Sequence, residues 1–280
     1  MQEILLGGLP KERNYHSLVH SNEFRELELF SDNFLAFHHN ELREYTKKWV
    51  KDPLHQWSRQ WEYPYVFSRV QQMTSGKENV SVLDAGSGVT FFPYFIKSKF
   101  GTAKIECVDY DDNLRIIYQK INTQSNQKVN FTCANLKELP YDDNQFDVIY
   151  CISVLEHTDD YPGIIEGFHR ILRPGGRLII TFDVSLDGMR DISVEKGIIL
   201  LRSLLEKYEL AEDLPLDLKT SVLEPDIFTT LTAMKIAPSL LPWKLPAFAY
   251  RFKSLIKDKR LSTWPPPLSV FCLSLAKPVS

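Results

Sequence analysis

Between Val80 and Asp183, short apolar runs rich in β-branched residues alternate with longer stretches whose apolar residues recur at helical spacing. This alternation constrains the fold more than any other feature of the chain. The runs Val80–Ala85, Ala103–Asp109, Val129–Cys133, Phe146–Ser153 and Arg177–Asp183 have the length and composition of strands. Between them Phe91–Phe100, Asn113–Ile121 and Tyr161–Leu172 read as helices, and Arg173–Gly176 as a turn, because proline cannot extend a helix and glycine accepts positive φ. Strand and helix in strict alternation mean parallel pairing with crossover helices on both faces of one sheet. The continuous apolar runs Phe146–Ile152 and Leu178–Phe182 agree, since parallel strands are covered on both sides.

The expected fold is therefore α/β, a Rossmann-like doubly wound, mostly parallel sheet. Residues 1–78 read as an N-terminal helical extension or cap, in which Phe24, Leu27, Phe30, Phe34 and Phe37 recur at helical spacing. Residues 79–280 read as the α/β domain, with an insertion at about 210–265. Beyond Asp183 a helix is expected around Glu195–Tyr208, and Leu268–Ala276 is the one clear strand.

The first strand runs into Asp84-Ala85-Gly86-Ser87-Gly88, a glycine turn that opens a helix. Such a turn brings the main chain close to a ligand. Asp109 ends the second strand, 21 residues after Gly88, where an acid can accept hydrogen bonds from ribose hydroxyls. A dinucleotide fingerprint requires a third glycine where this chain has Phe91, and an acid beside the loop disfavours a pyrophosphate. Asp84 is better suited to a cationic group such as the amino group of a methionine moiety. An NAD-dependent oxidoreductase is thus disfavoured.

These residues resemble the class I S-adenosylmethionine-dependent methyltransferases, in particular the group that includes the ubiquinone and menaquinone methyltransferases (the methyltransferase type 11 domain). The likeness covers about Ser81–Asp183 and rests on VLDAGSG, ECVDYDD, LKELPYDDNQFDVIYCISVLEH and RILRPGGRLIITF in that order. It implies that Asp84, Gly86, Ser87 and Gly88 bound the methionine end of S-adenosylmethionine, that Asp109 binds the ribose and that Tyr110 packs against adenine. Asn135, beside Leu136, stands where the family often has an aspartate for the adenine amino group; its side-chain carbonyl can accept the same bond. Ile152 and Ser153 are expected to face the sulfonium.

Methyl transfer is an in-line displacement, for which alignment supplies much of the catalysis and a general base helps when the nucleophile must lose a proton. His157 and Glu156, after the fourth strand, are the candidate catalytic residues; alternatively they are rim or capping residues. In the aromatic segment Trp57–Tyr65, Tyr63 could face the sulfonium and Arg59 could pair the cofactor carboxylate, or the segment simply docks a helix. His38 and His39 read as structural.

A formal charge of −3 argues against non-specific nucleic-acid binding. The four cysteines form no C-x-x-C pair and read as buried, reduced core residues, and no metal site is indicated. The chain shows no secretory leader and no membrane-length apolar run, so a cytoplasmic location and no stable membrane insertion are expected. Ile236–Tyr250 is apolar and proline-broken, and Lys244–Arg260 holds six basic residues against Asp258. That stretch could be a lid over a greasy substrate, a packed insertion, or a peripheral membrane patch. The expected activity is methyl transfer to oxygen or nitrogen of a small-molecule metabolite. Open alternatives are a carbon nucleophile on a quinone-like or lipidic substrate, and a non-catalytic member that binds the cofactor or a partner.

Overall fold

The structure, a computed structural model, describes residues 5–158, 160–190, 192–214, 216–243 and 263–279. Its centre is an eight-stranded sheet of β1 (Ser81–Ala85), β2 (Lys104–Asp109), β3 (Asn130–Cys133), β4 (Phe146–Ile152), β5 (Leu172–Ser185), β6 (Ile192–Ser193), β7 (Glu209–Leu210) and β8 (Leu268–Ala276). The order is β3-β2-β1-β4-β5-β8-β7, with β6 paired to β5. β1 to β6 pair in parallel, while β8 runs antiparallel to β5 from Arg177↔Ala276 to Ser185↔Leu268. The sheet is the mostly parallel, Rossmann-like one that the strand–helix alternation predicts.

Successive strand residues point to opposite faces, which separates two cores. Val82, Val148 and Ile179 join one hydrophobic cluster and Leu83, Ile149 and Leu178 the other. The first cluster is covered by α1 (Glu12–Val19), α2 (Asn22–Phe37), the short turns α3 (His39–Leu42) and α4 (Tyr45–Lys48), α5 (Arg59–Thr74), α6 (Phe92–Lys99) and α7 (Leu114–Gln124). On the second lie α8 (Tyr161–Ile171) and α9 (Val194–Leu205), followed by α10 (Leu218–Ser221); α11 (Thr230–Ile236) returns to β8. Of the phenylalanine stripe of α2, Phe24, Leu27 and Phe34 are buried and Phe37 is exposed.

Three details differ from the sequence reading. Arg173–Gly176 is absorbed into β5 as a wide bulge: Phe146 pairs with Leu172 but Val148 with Arg177, and the Gly175 N–H donates to the Lys277 carbonyl at 2.8 Å. The two-residue strands β6 and β7 carry no periodicity that a sequence could show. Cys133 is not a core residue; at the end of β3 it is only partly covered, whereas Cys107, Cys151 and Cys272 are buried. The basic stretch from Lys244 lies outside the described residues. Among the described residues no helix is long and apolar enough to cross a membrane.

Candidate cofactor and substrate cleft

The chain passes from β1 outward to β2 and β3, then returns to β4 on the other side of β1, and ligands of such sheets bind where the order reverses, beyond the carboxyl ends of the strands. A cleft of about 750 Å³ opens at this place. Its floor is the chain leaving β1, β2, β3 and β4, and its roof is the segment from Tyr45 to Tyr63.

The glycine turn is built for close approach. Gly86 and Gly88 have φ of +77° and +51°, the left-handed region that favours glycine. A Cβ on Gly86 would stand 2.5 Å from Val154 Cγ2, and one on Gly88 would collide with the Tyr45 hydroxyl. The Gly86 and Ser87 N–H groups donate to the Val108 carbonyl, tying the turn to β2. Beneath it the buried Tyr118 hydroxyl lies 2.8 Å from the Gly88 carbonyl oxygen and 3.1 Å from Ser87 Oγ.

Asp109 accepts the Gly88 N–H at 3.0 Å on one oxygen and the Asp111 N–H at 3.1 Å on the other. The carboxylate is thereby fixed in direction, with lone pairs left for a ligand's hydroxyls. Asp84 is 5% exposed, and burial, with the nearby Asp109 charge, pushes its carboxyl up to about 8 despite the favourable Tyr150 hydroxyl. A buried acid held in this way gains most from a cationic ligand group.

Tyr63 and Arg59, from the first turns of α5, both line the cleft. The Tyr63 ring packs 4.7 Å from Phe92 and 5.1 Å from Phe91, so the residue that replaces the third glycine is a wall for this tyrosine. Arg59 Nη1 donates to Ser153 Oγ at 2.5 Å and pairs with Glu62. Burial alone would lower the guanidinium pKa, but Glu62, Tyr63 and Asp183 hold it above its ordinary value, so Arg59 remains a cation. Ile152 and Ser153 end β4 inside the cleft, and Ser153 takes a φ of +47°.

Asn135 is exposed and its Oδ1 already accepts the Lys137 N–H at 3.0 Å; Leu136 is buried beside it. Tyr110 is 76% exposed and lies along the cleft edge rather than packed into it. Glu156 and His157 lie on a short 3-10 turn, Leu155–His157, at the rim, where His157 is exposed. His38 is buried among Phe34 and Phe37 and lies apart from the cleft lining. Among the described residues no group of three or more His, Cys, Asp or Glu is placed to hold a metal ion.

Residues 83–180 match a family model described as a methyltransferase domain. Over this part the chain is similar to methyltransferase domains, in line with the resemblance of its ordered motifs. Phosphoethanolamine N-methyltransferase 1 of Zea mays is 29% identical over 105 residues, 38% of this chain and 21% of that protein. Demethylmenaquinone methyltransferase of Lactococcus lactis is 28% identical over 102 residues, 36% of this chain and 40% of that protein. This chain thus spans well under half the length of these curated relatives, and the likeness is that of one methyltransferase domain. The crystal structure of the [4+2]-cyclase SpnF shares the fold, with a TM-score of 0.51 and 21% identity over 80% of this chain and 84% of that one. A shared fold is not a shared reaction.

The domain's cleft also contains residues that the sequence reading left without a role. Tyr45 and Trp49 reach it from the N-terminal helices, and the Val89 N–H donates to the Tyr45 hydroxyl at 3.1 Å. Glu62 stands in the aromatic segment but drew no assignment, and it is the centre of the hydrogen bonds around Arg59.

Proposed function

We propose that this protein transfers a methyl group from S-adenosylmethionine to an oxygen or nitrogen of a small molecule. The observation that carries the reading is the buried Asp84 carboxyl group beside a glycine turn too tight for any side chain, with Asp109 fixed one strand away. An amino group, a close-lying main chain and a ribose diol together satisfy that arrangement. When bound, S-adenosylmethionine supplies a methyl group made electrophilic by its sulfonium.

Asp84 and the glycine turn would hold the methionine amino end, Arg59 its carboxylate, and Asp109 the ribose. Asn135, Leu136 and Tyr110 would border the adenine. Ile152, Ser153 and Tyr63 would line the space where the acceptor approaches, and the roof segment would exclude water from it. Glu156 or His157 would take a proton from the acceptor where one must leave.

The apolar lining gives weight to a second reading. Trp49, Val50, Pro53 and Pro242 are among the residues that line the cleft, and such lining suits a quinone-like or lipidic acceptor and a carbon nucleophile. The names of the two relatives, one an N-methyltransferase and one a menaquinone-pathway enzyme, leave both acceptor classes open.

Calorimetric titration with S-adenosylmethionine, S-adenosylhomocysteine and NAD tests the cofactor; saturable binding of the first two and not the third is expected. Absence of binding by the first two ends the reading. A mass-shift screen for one added methyl group then finds the acceptor. In that assay His157→Ala is expected to lower turnover at pH 6 to 9, and near-full turnover would remove His157 as the base.

A further inference from the structure

Glu62 is completely buried, on the third residue after Arg59 in α5. One carboxylate oxygen accepts the Ser153 hydroxyl at 2.6 Å and the Thr181 hydroxyl, and the other pairs with Arg59 Nη1. Ser153 and Thr181 stand side by side on β4's end and on β5, where the Ser153 N–H donates to the Thr181 carbonyl at 3.0 Å. A single carboxylate thus joins α5, two strand ends and the guanidinium that lines the cleft.

A need for stability alone does not explain a charge at this place. Taking a carboxylate and a guanidinium out of water is costly, and well-packed apolar residues often replace such pairs without loss. In its hydrogen bonds to Glu62 and Ser153 Arg59 donates through Nη1, and the fork of further N–H groups on a guanidinium suits a planar acceptor such as a carboxylate. Ser153, meanwhile, keeps a left-handed backbone that a non-glycine residue adopts at a cost, and its hydroxyl bridges Arg59 and Glu62.

We propose that Glu62 is a positioning residue, which aims Arg59 at the carboxylate of the cofactor's methionine moiety and holds Ser153 in place beside it. Glu62 touches no ligand itself, since Arg59 and Ser153 stand between it and the cleft. The inference rests on the S-adenosylmethionine reading above.

The test compares two ligands that differ in the amino-acid moiety: S-adenosylhomocysteine has it and 5′-methylthioadenosine lacks it. In Glu62→Gln the amide still accepts the two hydroxyls but carries no charge to hold Arg59. Calorimetry is expected to show binding of S-adenosylhomocysteine weakened at least tenfold, with 5′-methylthioadenosine changed less than twofold. Arg59→Ala is expected to show the same selectivity, and the double variant to lose no more than either single one, because the two residues act as one unit.

Equal weakening of both ligands, or no weakening of either, overturns the proposal and leaves Glu62 as a staple for α5. A melting curve without ligand checks that Glu62→Gln folds. If it does not, Glu62→Asp keeps the charge and withdraws it by one methylene, and the same selective loss is required of it. Failure of the unaltered protein to bind either ligand would instead defeat the cofactor reading, a distinct result.

Discussion

The Tyr45 hydroxyl accepts the Val89 backbone N–H at 3.1 Å, so a side chain from the N-terminal helices closes directly over the glycine turn. Burial pushes the Tyr45 hydroxyl up to about 12, so it stays protonated at neutral pH and keeps its own hydrogen to donate. Tyr45→Phe leaves the ring and removes both functions. One hydrogen bond is worth about 1 kcal/mol, which corresponds to roughly fivefold in affinity. Titration of the variant with S-adenosylhomocysteine is expected to show a loss of that order, from the missing donor, and the missing bond to Val89 to lower the melting temperature by only about 2–4 °C; a loss of folding instead would mean that Tyr45 is a structural brace.

Gly86 meets two obstacles to any side chain, its φ of +77° and the Val154 methyl 2.5 Å from a Cβ. Gly86→Ala is expected to destabilise the fold by about 1–3 kcal/mol and to reduce cofactor binding beyond detection. Val154→Ala in the same chain removes the clash but not the backbone strain. Denaturant melts should therefore show partial rescue. Full rescue would mean that the turn conformation costs nothing.

On the proposed function, Asp84 would link cofactor binding to protons. Its carboxyl lies at about 8 in the folded chain and at its ordinary 3.8 when unfolded, so the folded state binds the additional proton between those values. Stability from this group is complete below about pH 4 and is lost as pH rises through 8. The ligand-free protein is expected to melt at progressively lower temperature over that window, and Asp84→Asn to flatten the slope. A cationic amino group requires the ionised acid. Binding of S-adenosylhomocysteine at pH 7 should release close to one proton, read as a dependence of the calorimetric heat on the ionisation enthalpy of the buffer; the Asp84→Asn variant should release none.

The parts of this architecture that the sequence displays are those with local signatures. The central strands β4 and β5 are covered on both faces and so show the apolar runs Val148–Ile152 and Leu178–Phe182, and the glycine turn and the acids of β1 and β2 follow from chain order. Tyr118 is different: with Leu114 and Ile121 it makes an ordinary helical stripe, and only the fold brings its hydroxyl under Gly88. Glu62 is harder still. Every residue of α5 from Gln60 to Val70 is buried, so the helix has no polar face from which to infer which side chains meet the cleft. Tyr45 lies in a four-residue turn 43 positions before Gly88, and nothing local to either residue connects them. Cys133 shows the converse error, since an apolar run at a sheet's outer edge need not be buried along its whole length.

The roof of the cleft is held from outside by His55, and this contact should open in alkali. His55 Nδ1 meets Asp52 at 2.7 Å and Nε2 meets Glu28 of α2 at 2.9 Å, so the imidazolium links the segment before α5 to the N-terminal helices. Bonding to Asp52 pushes the imidazole up to about 9, aided by Glu28 and opposed by burial. Its ordinary value is 6.5, so the stabilisation is complete below that pH and fades as pH rises through 9. Asp52 is lowered from its ordinary 3.8 by the same histidine, against its burial, and its share is lost only as pH falls through that lowered value. The clamp is therefore tightest between about pH 4 and 6.5. All three groups are partly exposed, so salt should weaken it. Hydrogen exchange over residues 49–58, corrected for intrinsic rates, is expected to be slowest near pH 6 and to quicken several-fold by pH 10. His55→Gln should exchange at the faster level throughout. A pH-independent rate in the unaltered protein would show that the roof is held by the packing of Leu54 and Trp57 alone.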